Sequence, residues 1–165
     1  MNYADIKYCD VANGEGVRVS LFVSGCTHHC KECFNKEAWD FHYGNPFTQK
    51  EIDRILEYLK PNYIAGLSLL GGEPMEPVNQ EGILPLLRVV KQTYPEKNIW
   101  CYTGYLFDKD VLDKMCKESE VTKEIVSYLD IVVDGEFMID RKNLKINFRG
   151  SDNQRIIDVK KTLDA

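Results

Sequence analysis

The stretch VRVSLFVSGCTHHCKEC, Val17 to Cys33, joins two kinds of sequence. Its first half is β-branched and apolar and ends at Gly25, which reads as a strand. Its second half gathers Cys26, Cys30 and Cys33 in one loop at spacing C-x3-C-x2-C, with His28 and His29 between the first two. A strand that empties into a cysteine loop places any chemistry of the thiols at the strand's carboxyl end. Three uses of such a loop stand open. A disulfide needs an oxidising compartment. A structural zinc site closes four ligands, and the fourth would have to be His28 or His29, folded inside the short arc from Cys26 to Cys30. An iron–sulfur cluster takes thiolates from compact loops, and three of them leave one iron of a [4Fe–4S] cube open to a small molecule.

Outward from this loop, helical and strand patterns alternate. FTQKEIDRILEYLKP reads as a helix: Thr48 and Glu51 form a capping-box pattern, Ile52, Ile55, Leu56 and Leu59 share one face, and Pro61 ends it. GLSLLGGEP is an apolar strand entering a Gly71-Gly72 turn. ILPLLRVVKQTY has helical spacing, with Pro85 expected near its start. NIWCYTG and DIVVDG read as strands, and Asp108 to Lys117 and Thr122 to Tyr128 as helical pieces. LKINFRG and QRIIDV are weaker strand candidates. The alternation predicts an α/β fold with a mainly parallel sheet and right-handed crossovers. Ligand sites in such sheets lie beyond the carboxyl ends of the strands. Here those ends carry SGC, GGEP, YTGY and VDGEF, which the fold would bring to one rim.

The chain has 165 residues, 44% hydrophobic and 28% charged, which predicts one globular domain over residues 1–165. A net charge of −5 gives no electrostatic reason to expect a nucleic acid or an anionic membrane as partner. MNYADIKYCD has neither the basic nor the apolar region of a signal peptide, and no apolar run approaches a membrane span. A cytoplasmic location is expected, where thiols stay reduced. Cys9, Cys101 and Cys116 stand isolated.

C-x3-C-x2-C after one strand and GGEP after the next resembles the radical S-adenosylmethionine superfamily. VANGEGVRVSLFVSGCTHHCKECFN, IWCYTGY, DIVVDGEF and FRGSDNQRIIDV extend the likeness, from about Asn13 to Val159, to the glycyl-radical-enzyme activases that serve anaerobic ribonucleoside-triphosphate reductase. Gly14-Glu15-Gly16 stands where such activases often carry GPG, and the aromatic Phe34 follows Cys33, with Glu32 before it.

The resemblance implies a partial open (β/α) barrel of the radical S-adenosylmethionine type. It implies an oxidoreductase in which Cys26, Cys30 and Cys33 hold a [4Fe–4S] cluster. S-adenosyl-L-methionine is then cleaved reductively, and a 5′-deoxyadenosyl radical takes a hydrogen from a glycine of the reductase's large subunit. Gly71, Gly72 and Glu73 would meet the cofactor's methionine end, and backbone from Glu32 through Cys33 to Phe34 the adenine. No catalytic side chain is implied beyond the cluster and cofactor, so His28 and His29 read as loop residues or outer donors. A reduced electron donor of flavodoxin-like kind is implied as a second partner. Since the loop follows a different strand from GGEP, a side chain at Gly72 is expected to obstruct the cofactor and spare the cluster. Arg149 is left between a role toward the substrate or partner and a place on the surface. Beside this reading stand an activase of another glycyl-radical enzyme, a small-molecule radical enzyme, and a zinc-stabilised binding module.

Overall fold

The computed structural model describes residues 1–31, 33, 36–143 and 145–164. Strands β1 (Asn2–Asp10), β2 (Val17–Val23), β3 (Asn45–Pro46), β4 (Ile64–Gly71), β5 (Asn98–Thr103), β6 (Ile131–Asp134) and β7 (Arg155–Asp158) form one sheet. Its order is β3-β1-β2-β4-β5-β6-β7. β2, β4, β5 and β6 run parallel. β1 and β3 pair antiparallel at one edge and β7 at the other. The sheet is therefore mixed, not mainly parallel as expected. Connection length accounts for this. The β1–β2 link is a short turn, which permits only antiparallel pairing, whereas each parallel step needs a crossover.

The crossovers are α1 (Gln49–Leu59), α2 (Pro77–Thr93), and a run made of a π-helical segment (Phe107–Met115), α3 (Cys116–Glu118) and α4 (Glu120–Tyr128); α5 (Val159–Asp164) follows β7. The π segment shows in the Val111 N–H, which donates to Leu106 O at 3.1 Å. None of the described helices is long and apolar enough to cross a membrane.

Side chains alternate across each strand. Val19, Leu21 and Val23 of β2, Leu67 and Leu69 of β4, Ile99 of β5 and Val132 of β6 join the core with Ile55, Leu86, Leu87 and Ile125 from the helices. The opposite face carries Arg18, Ser20 and Phe22, then Ser68 and Leu70, Trp100 and Tyr102, and Val133. Of these, Phe22, Leu70, Tyr102 and Val133 border a cavity. One face is thus sealed by helices, and the other is free to hold a ligand.

Arg18, fully buried on the open face, donates from Nε to Ser68 Oγ (2.7 Å) and from its terminal nitrogens to the carbonyls of Glu15 (3.0 Å), Leu67 (3.0 Å) and Asn98 (3.3 Å). Burial draws its pKa down to about 10. At the amino ends of the parallel strands, Lys97 Nζ joins Pro61 O (3.0 Å) to Ile64 O (2.6 Å). Asp130 there accepts from Ile99 N (2.8 Å) and Lys91 Nζ (3.2 Å).

The capping box on α1 forms: Glu51 reaches back to the Thr48 N–H at 3.1 Å. α2 begins earlier than expected, at Pro77, which leaves Pro85 inside it. Pro85 faces solvent, where the carbonyl it leaves without a helical partner can meet water. LKINFRG does not become a strand: Leu144 lies outside the described residues, and the rest forms turns. Phe148 has φ 63° and its ring stands edge-on to Trp100 at 5.4 Å, so the segment folds over the open face instead of pairing at an edge.

Candidate functional site

The carboxyl ends of β2, β4, β5 and β6 meet around a cavity of about 480 Å³ on the open face. Cys26, Cys30, Cys33, Gly71, Gly72 and Glu73 all border it. So do Thr103 and Gly104 from the YTGY end and Gly135, Glu136 and Phe137 from VDGEF. The expected convergence of strand ends is therefore present. Asp134 itself turns away: Arg155 pairs with it, and it accepts from Phe107 N at 2.7 Å.

All six cysteines are free thiols. Cys101 and Cys116 are buried with the helices and Cys9 is exposed on β1, so only the loop cysteines reach the cavity. Among the described residues, no three Cys, His, Asp or Glu side chains close on a single ion position. A cube of iron and sulfide asks for something else, thiolates spread over separate irons instead of gathered on one ion. Burial pushes the Cys26 thiol up to about 11, although the His28 and His29 N–H groups donate to its sulfur. Burial also raises Cys30, with Glu136 adding to the shift and the Phe137 N–H opposing it. Binding a cation cluster would supply the positive charge these thiolates lack.

Backbone bonds fix the base of the loop. Gly25 N donates to Ala38 O (2.6 Å) and Cys26 N to Trp39 O (3.2 Å). The GGEP turn is bonded to the same base: Gly72 N donates to Val23 O (2.8 Å) and Glu73 N to Gly25 O (2.7 Å). Gly71 has φ +111°, which favours glycine. Gly72 is confined differently. A Cβ there would lie 2.6 Å from Gly25 O and 2.8 Å from Ala38 O. The expectation that a side chain at Gly72 spares the cluster loop is thus corrected: it would strike the loop's own base.

Glu73 is 1% exposed and accepts four hydrogen bonds: Oε1 from Gly104 N (2.7 Å) and His28 Nε2 (2.8 Å), Oε2 from Thr103 Oγ1 (2.8 Å) and Met75 N (2.9 Å). It joins three strand ends at one carboxylate. His28 also meets Glu136 through Nδ1 at 3.3 Å. Burial alone would lower the His28 pKa, but the two carboxylates outweigh it and raise it. His29 lies outside this network, stacked on Trp39 at 4.3 Å. Glu32 and Phe34, expected at the adenine, lie outside the described residues.

Several residues that hold the site escaped the sequence reading. Glu76, 5% exposed, accepts from Thr27 Oγ1 (2.6 Å), Thr27 N (3.2 Å) and Tyr105 OH (3.2 Å). Asn79 donates to Ser24 O (3.0 Å) and Glu73 O (2.9 Å). The available signal was a polar run, EPVNQ, immediately after a glycine turn. Glu76→Ala would strand three donors, and a loss of about 2 kcal/mol is expected in urea unfolding. Glu76→Gln keeps an acceptor and should recover most of it; an Ala variant as stable as the parent would remove this role.

The cavity wall also carries unmet polar atoms. The Tyr102 hydroxyl, Arg149 Nε and Trp39 Nε1 are buried without a hydrogen-bond partner among the described residues. A cavity of this volume bordered by three free thiols and a glycine turn is the size and chemistry of a small-molecule cofactor site.

The chain matches the 4Fe-4S single cluster domain family over residues 12–157. It is 43% identical over 158 residues to the anaerobic ribonucleoside-triphosphate reductase-activating protein of Enterobacteria phage T4, covering 94% of this chain and 93% of the relative. The chain belongs to this activating-protein family. The proteins of the same name from Pasteurella multocida and Escherichia coli K12 are 40% and 38% identical, over 94% and 93% of this chain and 96% of each relative. The cysteine loop, the GGEP turn and the YTGY and VDGEF ends all fall inside the matched 4Fe-4S region.

Proposed function

We propose that the protein activates anaerobic ribonucleoside-triphosphate reductase as a radical S-adenosylmethionine enzyme of the cytoplasm. The observation that carries this reading is that three free loop thiols and the GGEP turn border one cavity at the carboxyl rim of the parallel strands. Cys26, Cys30 and Cys33 would each hold one iron of a [4Fe–4S] cluster. When bound, the cluster and S-adenosyl-L-methionine supply one-electron cleavage of the sulfonium S–C5′ bond and removal of a hydrogen atom from a glycine Cα of the reductase.

The chain's own residues bind, orient and exclude water. Gly71 and Gly72 present backbone to the methionine end, with the Glu73 charge behind them, and the backbone from Glu32 to Phe34 serves the adenine. His28, held between Glu73 and Glu136, fixes the loop against β4 and β6 without moving a proton. The sheet with helices on one face is read as the partial open barrel of that superfamily, working as one domain, and the cavity on its helix-free face as the approach for the reductase's large subunit. A flavodoxin-like donor would supply the electron.

The test is anaerobic reconstitution with iron and sulfide, then addition of S-adenosylmethionine, a low-potential reductant and the cognate reductase. A protein glycyl radical is expected by spin resonance. Full cluster content and cofactor cleavage without that radical would overturn the reductase as target. With only three loop thiolates to hold it, one iron would lack a protein ligand, so air should bleach the visible absorption and end cofactor cleavage together; cleavage that survives complete bleaching would contradict the cluster's role.

A further inference from the structure

We infer that Glu136 tunes the reduction potential of the cluster, its carboxylate lying against Cys30 and holding that potential low. This rests on the reading of Cys26, Cys30 and Cys33 as cluster ligands and adds a residue that sets how readily the cluster takes its electron. Glu136 follows β6 in the VDGEF end and borders the cavity together with Cys30. The Cys30 Sγ lies 3.8 Å from Glu136 Oε2. The Phe137 N–H, next in the chain, donates to the same sulfur. The end of β6 and the cysteine loop, 106 residues apart in sequence, thus meet at one thiol.

The carboxylate does not depend on that thiol for its place. Its Oε1 meets His28 Nδ1 at 3.3 Å, and His28 Nε2 meets Glu73 Oε1 at 2.8 Å. Glu73 is itself fixed by Gly104 N and Thr103 Oγ1. The backbone under Glu136 is tied as well. The Glu136 carbonyl accepts from Asn153 Nδ2 (2.9 Å), Gly135 O accepts from Gln154 Nε2 (3.0 Å), and Gly135 N donates to Tyr105 O (3.3 Å). When Cys30 holds iron and has no proton to offer, these contacts keep the carboxylate close to the sulfur.

A cluster that gains one electron gains one negative charge. Net charge, hydrogen bonds to the sulfurs and solvent exposure set its potential, and a carboxylate beside one of its thiolates opposes the gain. The Phe137 N–H works the other way, since a donor on the sulfur favours the added charge. His28 can offset only one of the two carboxylates it touches. The Glu136 side chain is 52% exposed, so water and salt damp its field without abolishing it. The electron comes from the low-potential donor of the proposed function, and no bond forms or breaks in its uptake. A low potential makes that uptake harder and favours passing the electron on to a sulfonium.

The test uses Glu136→Gln, which keeps the shape and removes the charge, and Glu136→Asp, which keeps the charge. Each protein is reconstituted with iron and sulfide and poised at a series of potentials, without cofactor or reductase. The reduced fraction is read by spin resonance. At the poise that half-reduces the parent, the ratio of reduced to oxidised cluster is expected to rise about tenfold in Glu136→Gln, ~59 mV for one electron, and far less in Glu136→Asp. The gap between Glu136→Gln and the parent should narrow as salt is raised. Iron content, and urea unfolding of the protein before reconstitution, should stay at the parent level. Equal ratios in Glu136→Gln and the parent, both with full clusters, overturn the tuning role. A Glu136→Asp variant that shifts as far as Glu136→Gln also overturns it, by tracing the effect to a contact and not to charge. A Glu136→Gln variant that loses iron overturns it by making Glu136 a support of the loop. A parent protein that takes up no [4Fe–4S] cluster defeats the proposed function itself, a different outcome from loaded proteins of equal potential.

Discussion

Alanine at Cys26, Cys30 or Cys33 is expected to abolish cluster incorporation, while alanine at Cys9, Cys101 or Cys116 leaves it at the parent level. The three loop thiols alone border the cavity, and all three lie on a loop pinned at Gly25 and Cys26 by backbone bonds. Losing one leaves two thiolates for three irons. Two of the others, Cys101 and Cys116, sit among apolar side chains on the helix-covered face, where the thiol serves as a small hydrophobe. Iron and acid-labile sulfide after anaerobic reconstitution give the readout. A full cluster in Cys30→Ala would sink the assignment, and so would its loss in Cys9→Ala, since Cys9 lies exposed on β1. Cys101→Ala tests the other half of the claim: it should cost some stability in urea and no iron.

The second large effect is at Gly72, and alanine is the informative substitution. If glycine there only made room for the cofactor, a methyl group would be tolerated better than valine and neither would disturb iron. The geometry gives a different expectation. The Cβ itself would sit 2.6 Å from Gly25 O and 2.8 Å from Ala38 O, closer than such atoms approach, and both are backbone. Neither can swing aside like the end of a long side chain. A cost of about 3 kcal/mol, at the high end for overpacking, is expected for alanine already. The strain falls on the residue before Cys26, so iron content and cofactor affinity should drop together. Iron content equal to the parent in Gly72→Ala would show that the turn and the loop base are not coupled.

The parallel centre of the fold was legible because it is written in residue type. β2, β4, β5 and β6 are apolar runs that end in glycine or cysteine, and buried strands between crossovers must look that way. α1 announced itself through Thr48, Glu51 and its apolar stripe. β1 did not, because Asn2 to Asp10 has no fully buried residue, pairs with β2 through two register breaks, and so lacks alternation. The first turns of α2 were hidden because their inward face carries Asn79 and Gln80, which spend their amides on the backbone of the turn before them. The site divides in the same way. The thiols stood out by their spacing and the glycines as a turn after a strand, their joint role came only with the family resemblance, and the fold brings them to one cavity. Glu76, Tyr102 and Thr103 could not, because what they do depends on neighbours far away in sequence. Arg149 could be singled out but not placed: only the fold shows that Phe148 turns it toward the cavity.

The stitched amino-terminal rim has a practical consequence. Lys97 and Asp130 tie together the ends of strands that lie farthest from the thiols. Neither residue borders the cavity, and loops at that pole come to the surface: Tyr63, at the entrance to β4, is 61% exposed. A fluorophore or surface tether attached at Tyr63 would therefore orient every molecule the same way, with the thiol rim facing solution. Immobilised so, the protein would leave its rim clear for a large protein and a small electron carrier arriving in turn, and their order of arrival could be timed on the bench.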